Sequence, residues 1–337
     1  MKIFIGVDLH KKTQTWAGIG LSGPEKLFIK EFQVTPEGVS EAIEFVKGKY
    51  GKDVNISLSI EPCCGWMWVV KQLKENKIDV HITNPRKVRA IADSLQKTDE
   101  NDAYTLALLL RTGMLHESRI IDPETQKLRS LVRERSFCVR LRASVKCRLE
   151  GIVTREGRHL ITGSLSSKKG KDQITKSNHP EWLTHIGIIQ DLDKHIDVLE
   201  KELIKKSKEL PVSKLLQTIP GVGHITALTI ISEVGDFKQF SKPEKLCAFS
   251  GLVPTERSSG GVQRLGHITH AGSKHLRYIL VEAAMHIRED NSKTLYNFYK
   301  KIKEKSGAMR ARVALARKIL TISWYMVTRN ESYKIII

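Results

Sequence analysis

The sequence lacks several features that would assign it to common classes of protein. No segment approaches the roughly 20 continuous apolar residues of a membrane-spanning helix, so we expect no membrane partner. The chain starts with Met1-Lys2 and a strand-like alternation, which does not predict a signal peptide. The five cysteines are odd in number and lack the spacing of zinc ligands. We therefore expect reduced thiols in a cytoplasmic protein.

Acidic residues are scarce relative to basic ones. The 337 residues include 37 Asp and Glu against 56 Lys and Arg, for a net charge of +19, and the sequence pI is about 9.7. Such a balance favours a polyanionic partner, most often nucleic acid, with an acidic membrane surface as the lesser alternative. The length allows two domains with a sizeable core.

Apolar patterns in the first 113 residues predict an α/β domain. Three closely spaced strands predict an antiparallel meander, and strands that follow crossover helices are expected to lie parallel to the first. The predicted strands cover residues 2–9, 14–21, 26–34, 54–60 and 78–83. Helices are predicted after Thr35, through Trp68, over 85–95 and from Thr98 or Asp99 to Gly113. This is the element order of a ribonuclease-H-like domain.

Four acidic residues stand where this fold would bring them together. Asp8 and Glu61 end the first and fourth predicted strands, at the sheet edge where ligands of α/β proteins bind. Asp99 and Asp102 open the last predicted helix and, three residues apart, share one face. Four ionised carboxylates need a cation nearby, so we expect a divalent metal site. A capped, solvated helix start is the alternative for Asp99 and Asp102 taken alone.

The middle of the chain is predicted to be helical and very basic. Residues 127–171 hold 13 lysines and arginines against three glutamates, a density that suggests phosphate contacts more than a solvated face. Residues 163–178 are rich in Ser, Lys and Gly and predict a flexible linker. From Glu181, heptad spacing through residues 182, 189, 196 and 203 predicts a coiled-coil seam. A helical hairpin, a dimer stalk and a buried core helix all remain open.

Two glycine-bearing segments mark the last third of the chain. Residues 220–223, Pro-Gly-Val-Gly, lie between predicted helices and are similar to a helix-hairpin-helix turn, although glycine is also ordinary in such turns. Residues 251–261 form a polar loop in which Ser259 precedes two glycines. An unremarkable surface turn is the alternative for that loop. The predicted nucleic-acid contacts around it are Arg257, Arg264, Lys274 and Arg277.

A final amphipathic helix is predicted over residues 308–328. It carries Arg310, Arg312, Arg317 and Lys318. Guanidinium groups near a serine can offset the charge that develops during phosphoryl transfer.

The motifs together resemble one known family. The segments 6–11, 60–62, 97–103, 219–223 and 251–261 occur in the order typical of the DEDD insertion-sequence transposases, the Piv-like recombinases that work with a bridge RNA. The resemblance covers about residues 3–290. It implies that Asp8, Glu61, Asp99 and Asp102 are the tetrad of a RuvC-like domain that binds Mg²⁺ or Mn²⁺. It also implies that Ser259 is the nucleophile that becomes joined to DNA, with Ser258 beside it as the alternative.

The same resemblance implies a domain layout and a set of partners. We expect a RuvC-like catalytic domain over 1–120, a basic helical coiled-coil region over 121–212 with a linker near 161–180, and a C-terminal transposase domain over 213–337. The expected partners are donor and target DNA, a non-coding bridge RNA, and further copies of the chain in a dimer or tetramer. Domains of different protomers would build one composite site. The expected location is the nucleoid of a prokaryotic cell.

Three other functions remain open on the residues alone. A metal-dependent endonuclease of resolvase type would use the carboxylates to activate water, and only the Ser259 loop separates it from a transposase. An actin-like sugar or acetate kinase would share the pattern of residues 6–13, but His10 and Lys11 stand where its phosphate loop needs glycine. A non-catalytic nucleic-acid-binding protein would explain the charge and leave the carboxylates without a role.

Overall fold

The computed structural model describes residues 1–63, 65–84, 88, 98–118, 121–157, 165, 168–176, 179–256 and 265–334. The chain divides into two compact units, residues 1–120 and 121–337. Each unit contains its own apolar core. The further division that we predict near residue 212 lies inside the second unit and stays a prediction.

A five-stranded mixed sheet forms the centre of the first unit. Its elements in chain order are β1 Lys2–Leu9, β2 Thr13–Gly20, β3 Lys26–Gln33, α1 Pro36–Tyr50, β4 Asn55–Ile60, α2 Trp66–Glu75, β5 Asp79–Ile82 and α3 Asp99–Arg111. The strand order is β3-β2-β1-β4-β5, with an antiparallel meander of β1 to β3 and with β4 and β5 parallel to β1. This confirms the predicted ribonuclease-H-like order. The helix predicted over 85–95 lies outside the described residues apart from Val88.

The alternation of side chains along β1 decides what covers each face of the sheet. The core shared with α1 and α2 takes four alternate residues of β1, which are Ile3, Ile5, Val7 and Leu9. The intervening residues face α3: Phe4 packs with Ala107, and Gly6 lies against Ala103. Asp8 is the next residue in that second series. The strand period therefore places its carboxylate on the face that α3 covers.

Two long helices of the second unit pack as an antiparallel hairpin. They are α4 Pro123–Arg155 and α6 Pro180–Glu209, with the short α5 Lys168–Thr175 between them. Leu128 near the start of α4 shares an apolar cluster with Leu203 near the end of α6. Further along the hairpin, Arg142 Nη1 pairs with Asp193 Oδ1 at 2.6 Å. The heptad seam of α6 thus packs against α4 within the chain.

The prediction of a flexible linker over 163–178 is wrong for residues 168–175, which form α5. Ile174 of this helix is buried in a cluster with Leu165, Leu149 and Trp182. Ile174 gives this otherwise polar short helix one apolar side chain that can be buried. The linker prediction rested on the average composition of the segment, in which a single apolar residue has little weight. The other residues of the predicted linker, apart from 165, 176 and those that start α6, lie outside the described part of the chain.

The remainder of the second unit is a helical core with one small β-hairpin. In chain order it comprises α7 Pro211–Leu216, α8 His224–Val234, a 3₁₀ turn Phe237–Gln239, α9 Pro243–Ser250, β6 Pro254–Glu256, β7 Leu265–Ile268, α10 Lys274–Met285, α11 Lys293–Ser306 and α12 Ala308–Arg329. β6 and β7 pair antiparallel. α12 contributes Leu315, Ile319 and Leu320, all fully buried, to the core. The predicted final helix is confirmed.

The Pro-Gly-Val-Gly turn between α7 and α8 packs against α10. Gly221 has a φ of 78°, and a Cβ on it would lie 2.6 Å from the carbonyl oxygen of Ala283. Glycine at this position therefore has a packing reason of its own. Gly223 is exposed, and a phosphate contact at this turn stays a prediction.

An ion pair between the exposed Arg133 of α4 and the buried Glu233 connects α4 to the end of α8. Arg133 donates from Nε and Nη2 to Oε1 and Oε2 of Glu233 at 2.8 and 2.9 Å. Arg129 donates from Nε to the carbonyl oxygen of Ser232 at 2.7 Å and from Nη2 to that of Glu233 at 3.0 Å. Burial acts to raise the pKa of Glu233, but the hydrogen bonds and charge of Arg133 hold it below its ordinary value. Part of the basic charge predicted to contact phosphates therefore stabilises the fold.

Among the described residues, no helix combines the length and apolar character that crossing a membrane requires. Among the described cysteines, Cys138, Cys147 and Cys247 are free thiols.

Candidate functional site

Asp8 lies at the centre of a cluster of polar groups at one edge of the first unit's sheet. Val7, before it, is paired in register with Ile60 of β4. Glu61 therefore follows β4 beside Asp8, and its backbone N–H donates to the carbonyl oxygen of Val7 at 3.4 Å. As predicted from the strand ends, the two acidic residues are neighbours at the carboxyl edge of parallel strands.

His10 joins Asp8 to the start of α3. Its Nε2 lies 3.1 Å from Oδ2 of Asp8 and 3.3 Å from Oδ1 of Asp99. One ligand atom from each of the three residues lies within 4.8 Å of the other two. We did not identify His10 as a site residue from the sequence. The spacing of Asp8 and His10 could have indicated this role, because residues two apart in an extended segment project to the same side. Imidazole is also a common metal ligand.

The first turn of α3 is held by a side-chain cap. Thr98 Oγ1 accepts a hydrogen bond from the backbone N–H of Asn101 at 3.2 Å, and the Thr98 carbonyl accepts one from Asp102 at 2.9 Å. Asp99 is exposed and Asp102 half-buried in this turn. The positive end of the helix dipole favours both carboxylates. The cap thus fixes the first residue of α3 and, with it, the backbone positions of Asp99 and Asp102.

Two small residues allow α3 to lie directly on the sheet. A Cβ on Gly6 would stand 1.9 Å from the carbonyl oxygen of Ala103, so only glycine permits this approach. Ser59 of β4 is buried and donates from Oγ to the carbonyl oxygens of Leu106 at 3.0 Å and Ile5 at 3.3 Å. These residues position the helix that carries Asp99, a role that no local sequence pattern indicates.

The cluster changes the acidity of its members. Burial raises the pKa of Asp8 to about 6; the charge of His10 opposes this rise, and the charges of Asp99, Asp102 and Glu61 add to it. Burial acts to lower the pKa of His10, but the charges of Asp8 and Asp99 outweigh it and the pKa is raised. All four acidic residues are therefore close enough to interact through their charges. An ionised Asp8 is unfavourable here unless a cation compensates it.

The donor set fits a divalent cation. Carboxylate oxygens are the preferred ligands of Mg²⁺, and Mn²⁺ also accepts imidazole nitrogen. Asp8, His10 and Asp99 are the described residues whose ligand atoms already lie within one ion's reach. A metal-binding role for the full set with Glu61 and Asp102 stays a prediction.

The residues predicted around the second site fall into two groups. Ser258, Ser259, Arg257 and Arg264 lie outside the described residues, between β6 and β7. Lys274 is exposed at the first position of α10. Arg277 is partly buried, and its Nη1 donates to the carbonyl oxygens of Ser250 at 3.1 Å and Gly272 at 3.1 Å. Arg277 thereby fixes the segment after β7, and nucleic-acid contact by these residues stays a prediction.

Comparison with known proteins identifies the family. Residues 213–300 match the family model described as Transposase IS116/IS110/IS902 family. Residues 5–156 match a second model, of the DEDD type in IS110 elements, described as Transposase. The two matches include every acidic residue of the site and the segment that contains Ser259.

Individual relatives agree with these matches. The transposase for insertion sequence element IS1111A of Coxiella burnetii is 29% identical over 76% of this chain and 73% of its own. The pilin gene-inverting protein of Moraxella lacunata is 24% identical over 98% of both chains. The solved structure of T. thermophilus RuvC in complex with Holliday junction substrate has 12% identity and a TM-score of 0.28, over 35% of this chain and 100% of that one, a likeness too weak to bear on function. The chain belongs to the DEDD transposases of the IS110 family of insertion sequences and is a DNA transposase.

Proposed function

We propose that this transposase cuts and rejoins DNA through a covalent phosphoserine intermediate, with Ser259 as the nucleophile and a divalent cation held by the acidic cluster around Asp8. The cluster of Asp8, His10 and Asp99, with ligand atoms within 4.8 Å of one another, is the observation that supports the metal site. Support for the serine comes from its place before two glycines in a segment that matches the family.

The proposed step conserves the phosphodiester bond energy. Ser259 Oγ forms a bond to phosphorus as the bond from phosphorus to a deoxyribose oxygen breaks, and the proton that serine loses is balanced by the proton that the leaving oxygen gains. Attack by a deoxyribose hydroxyl of another strand reverses the step and frees the serine, so no ATP is required. Asp8, His10 and Asp99 are the residues that would hold a divalent cation, which would supply polarisation of the phosphate and stabilisation of the leaving oxygen.

A trapping experiment tests both halves of this proposal. The protein is incubated with labelled donor and target DNA, Mg²⁺ and RNA transcribed from the flanks of the element, and is then denatured. We expect a protein–DNA adduct whose nucleotide maps by mass spectrometry to Ser259. Ser259→Ala should bind DNA without forming the adduct, and Ser258→Ala is the matched control that should form it. A nucleotide on Ser258 would overturn the assignment.

A RuvC-type endonuclease that acts by water attack is the second candidate. It is favoured by one observation: the residues whose ligand atoms already lie together, Asp8, His10 and Asp99, all belong to residues 1–120. Metal-dependent cutting by Ser259→Ala, with no adduct from the unmodified protein, would support the endonuclease. Loss of cutting in Asp8→Asn is expected in both cases and tests the metal site alone.

We also propose that a bridge RNA guides the reaction on an oligomer of two or four copies. The net charge of +19 supports nucleic-acid partners. Arg140 and Arg148 of α4 are exposed and make no ion pair with a described residue, so they are available for phosphates. Mass photometry with and without the flanking RNA measures the assembly. Recombination at an unchanged rate without RNA would refute the guide.

A further inference from the structure

A cavity of about 900 Å³ in the second unit lies against the hairpin of β6 and β7. Both strands line it, through Pro254 and His267, and α11 and α12 form its other walls. The segment that contains Ser259 connects these two strands in the sequence. We propose that this cavity binds an unpaired nucleotide of the DNA strand that reacts with the serine. The choice of DNA rests on the proposed function, whereas the nucleotide chemistry rests on the cavity.

One wall of the cavity is apolar. Leu252, Phe298 and Val313 line it. Leu252 is buried, and the other two side chains are half-buried. Proteins bind unpaired bases by stacking them on aromatic side chains, and Phe298 is the aromatic residue among the described lining residues. This wall therefore suits the faces of a base.

The other wall is cationic. Arg310, Arg317 and Lys318 of α12 line the cavity, and no carboxylate is present among its described lining residues. None of the three makes an ion pair with a described residue. Lys318 Nζ lies 5.8 Å from the centroid of the Phe298 ring, so a positive charge stands beside the aromatic surface. Phosphate oxygens would satisfy these cations.

The two walls together select a nucleotide over simpler ligands. An apolar ligand would leave three cations without counter-charge, and a free phosphate would leave the apolar wall exposed to water. A nucleotide within a strand presents a base and phosphates at once. Two imidazoles, those of His267 and His270, also line the cavity and add polar groups to it. His270 has a φ of 52°, a conformation uncommon in residues with a Cβ.

Binding of a short oligonucleotide tests the proposal on the full-length protein. The probe is a fluorescein-labelled single-stranded DNA tetramer, measured by fluorescence anisotropy over a series of salt concentrations. Phe298→Leu keeps apolar volume and removes the ring, and we expect it to weaken binding roughly tenfold. Lys318→Ala should weaken binding and reduce the slope of log K against log salt by about 0.7 for one lost phosphate contact. Lys301→Ala is the matched control, since Lys301 is an exposed cation on α11 and does not line the cavity.

Photo-crosslinking locates the bound base. A tetramer that contains 5-iodouracil should attach to peptides with Phe298, His267 or His270. Crosslinks confined to α4, or affinities and salt slopes of Phe298→Leu and Lys318→Ala equal to those of Lys301→Ala, would overturn the proposal. An RNA tetramer that binds more tightly than DNA, with the same losses in the two variants, would overturn the assignment to DNA.

The covalent adduct distinguishes this inference from the proposed function. An adduct on Ser259 together with unchanged tetramer binding in the cavity variants would refute the cavity and leave the mechanism in place. Tetramer binding that the variants weaken, with no adduct from the unmodified protein, would support the cavity and refute the serine mechanism.

Discussion

Asp8 should destabilise the metal-free protein at neutral pH, so Asp8→Asn should stabilise it. The folded pKa of Asp8 is about 6 against an ordinary 3.8, and about 1.4 kcal/mol per pKa unit sets an upper limit near 3 kcal/mol. Asparagine also loses the attraction to His10, so we expect a gain of about 1–3 kcal/mol. For a unit of this size that corresponds to a rise of roughly 3–10 °C in melting temperature.

The pH dependence identifies the cause. Because the folded pKa lies above the ordinary value, the folded state binds the proton more tightly, and stability is lost as pH rises from about 4 through 6. Scanning calorimetry of the full chain in EDTA should therefore show the gain of Asp8→Asn at pH 8 and not at pH 4. The exposed Asp53→Asn is the control and should change little at either pH.

Added Mg²⁺ or Mn²⁺ should reverse the order of stability. The cation should raise the melting temperature of the unmodified protein and leave Asp8→Asn almost unchanged, since ligands that bind only the folded state stabilise it. A lower melting temperature of Asp8→Asn in EDTA at pH 8 would refute the view that Asp8 repels its neighbours. A gain of equal size at pH 4 would refute it as well.

Three further predictions follow from the packing. Gly6→Ala should force α3 away from the sheet and reduce the rate of transposition about 100-fold, because a shift of catalytic groups by about 1 Å can slow a reaction by that factor. An in vitro recombination assay measures the rate. Arg133→Ala should lower the unfolding free energy in urea by about 1–3 kcal/mol, since the buried Glu233 loses two hydrogen bonds and keeps Arg129, at 3.9 Å, as its cationic neighbour. Joint replacement of Arg140 and Arg148 by Ala should weaken binding to all DNA sequences and reduce the salt slope by about 0.9 for each lost phosphate contact, as measured by filter binding.

Matched variants make these predictions specific. Gly48→Ala controls for Gly6→Ala, because a Cβ on Gly48 would contact nothing within 4 Å, and it should leave recombination intact. Arg135→Ala controls for the other two, because Arg135 pairs with Glu200 at a partly exposed position. We expect it to cost at most about 1 kcal/mol and to leave the salt slope unchanged. Equal effects of a test variant and its control would contradict the corresponding prediction.

Local sequence patterns were sufficient to predict the first unit's element order and the positions of its acidic residues. Apolar residues alternate along β4 at Ile56, Leu58 and Ile60, and the caps at Thr35 and Thr98 mark helix starts; these signals are local and can be read without knowing what the element packs against. The placement of Asp8 and Glu61 at strand ends follows from the same patterns. The excess of basic charge is likewise a property of composition.

Contacts between residues far apart in the chain could not be predicted from local patterns. His10 contacts Asp99 across 89 positions of the sequence, and Gly6 matters because a helix backbone lies where its Cβ would be. Arg129, Arg133 and Arg140 belong to the same basic segment, and its composition does not distinguish them. In the structure Arg129 and Arg133 hydrogen-bond to Glu233, whereas Arg140 is exposed. Such contacts depend on strand register and helix approach, which are set by the packing of the whole unit. Local periodicity contains no information about either, so these roles became apparent only in the folded chain.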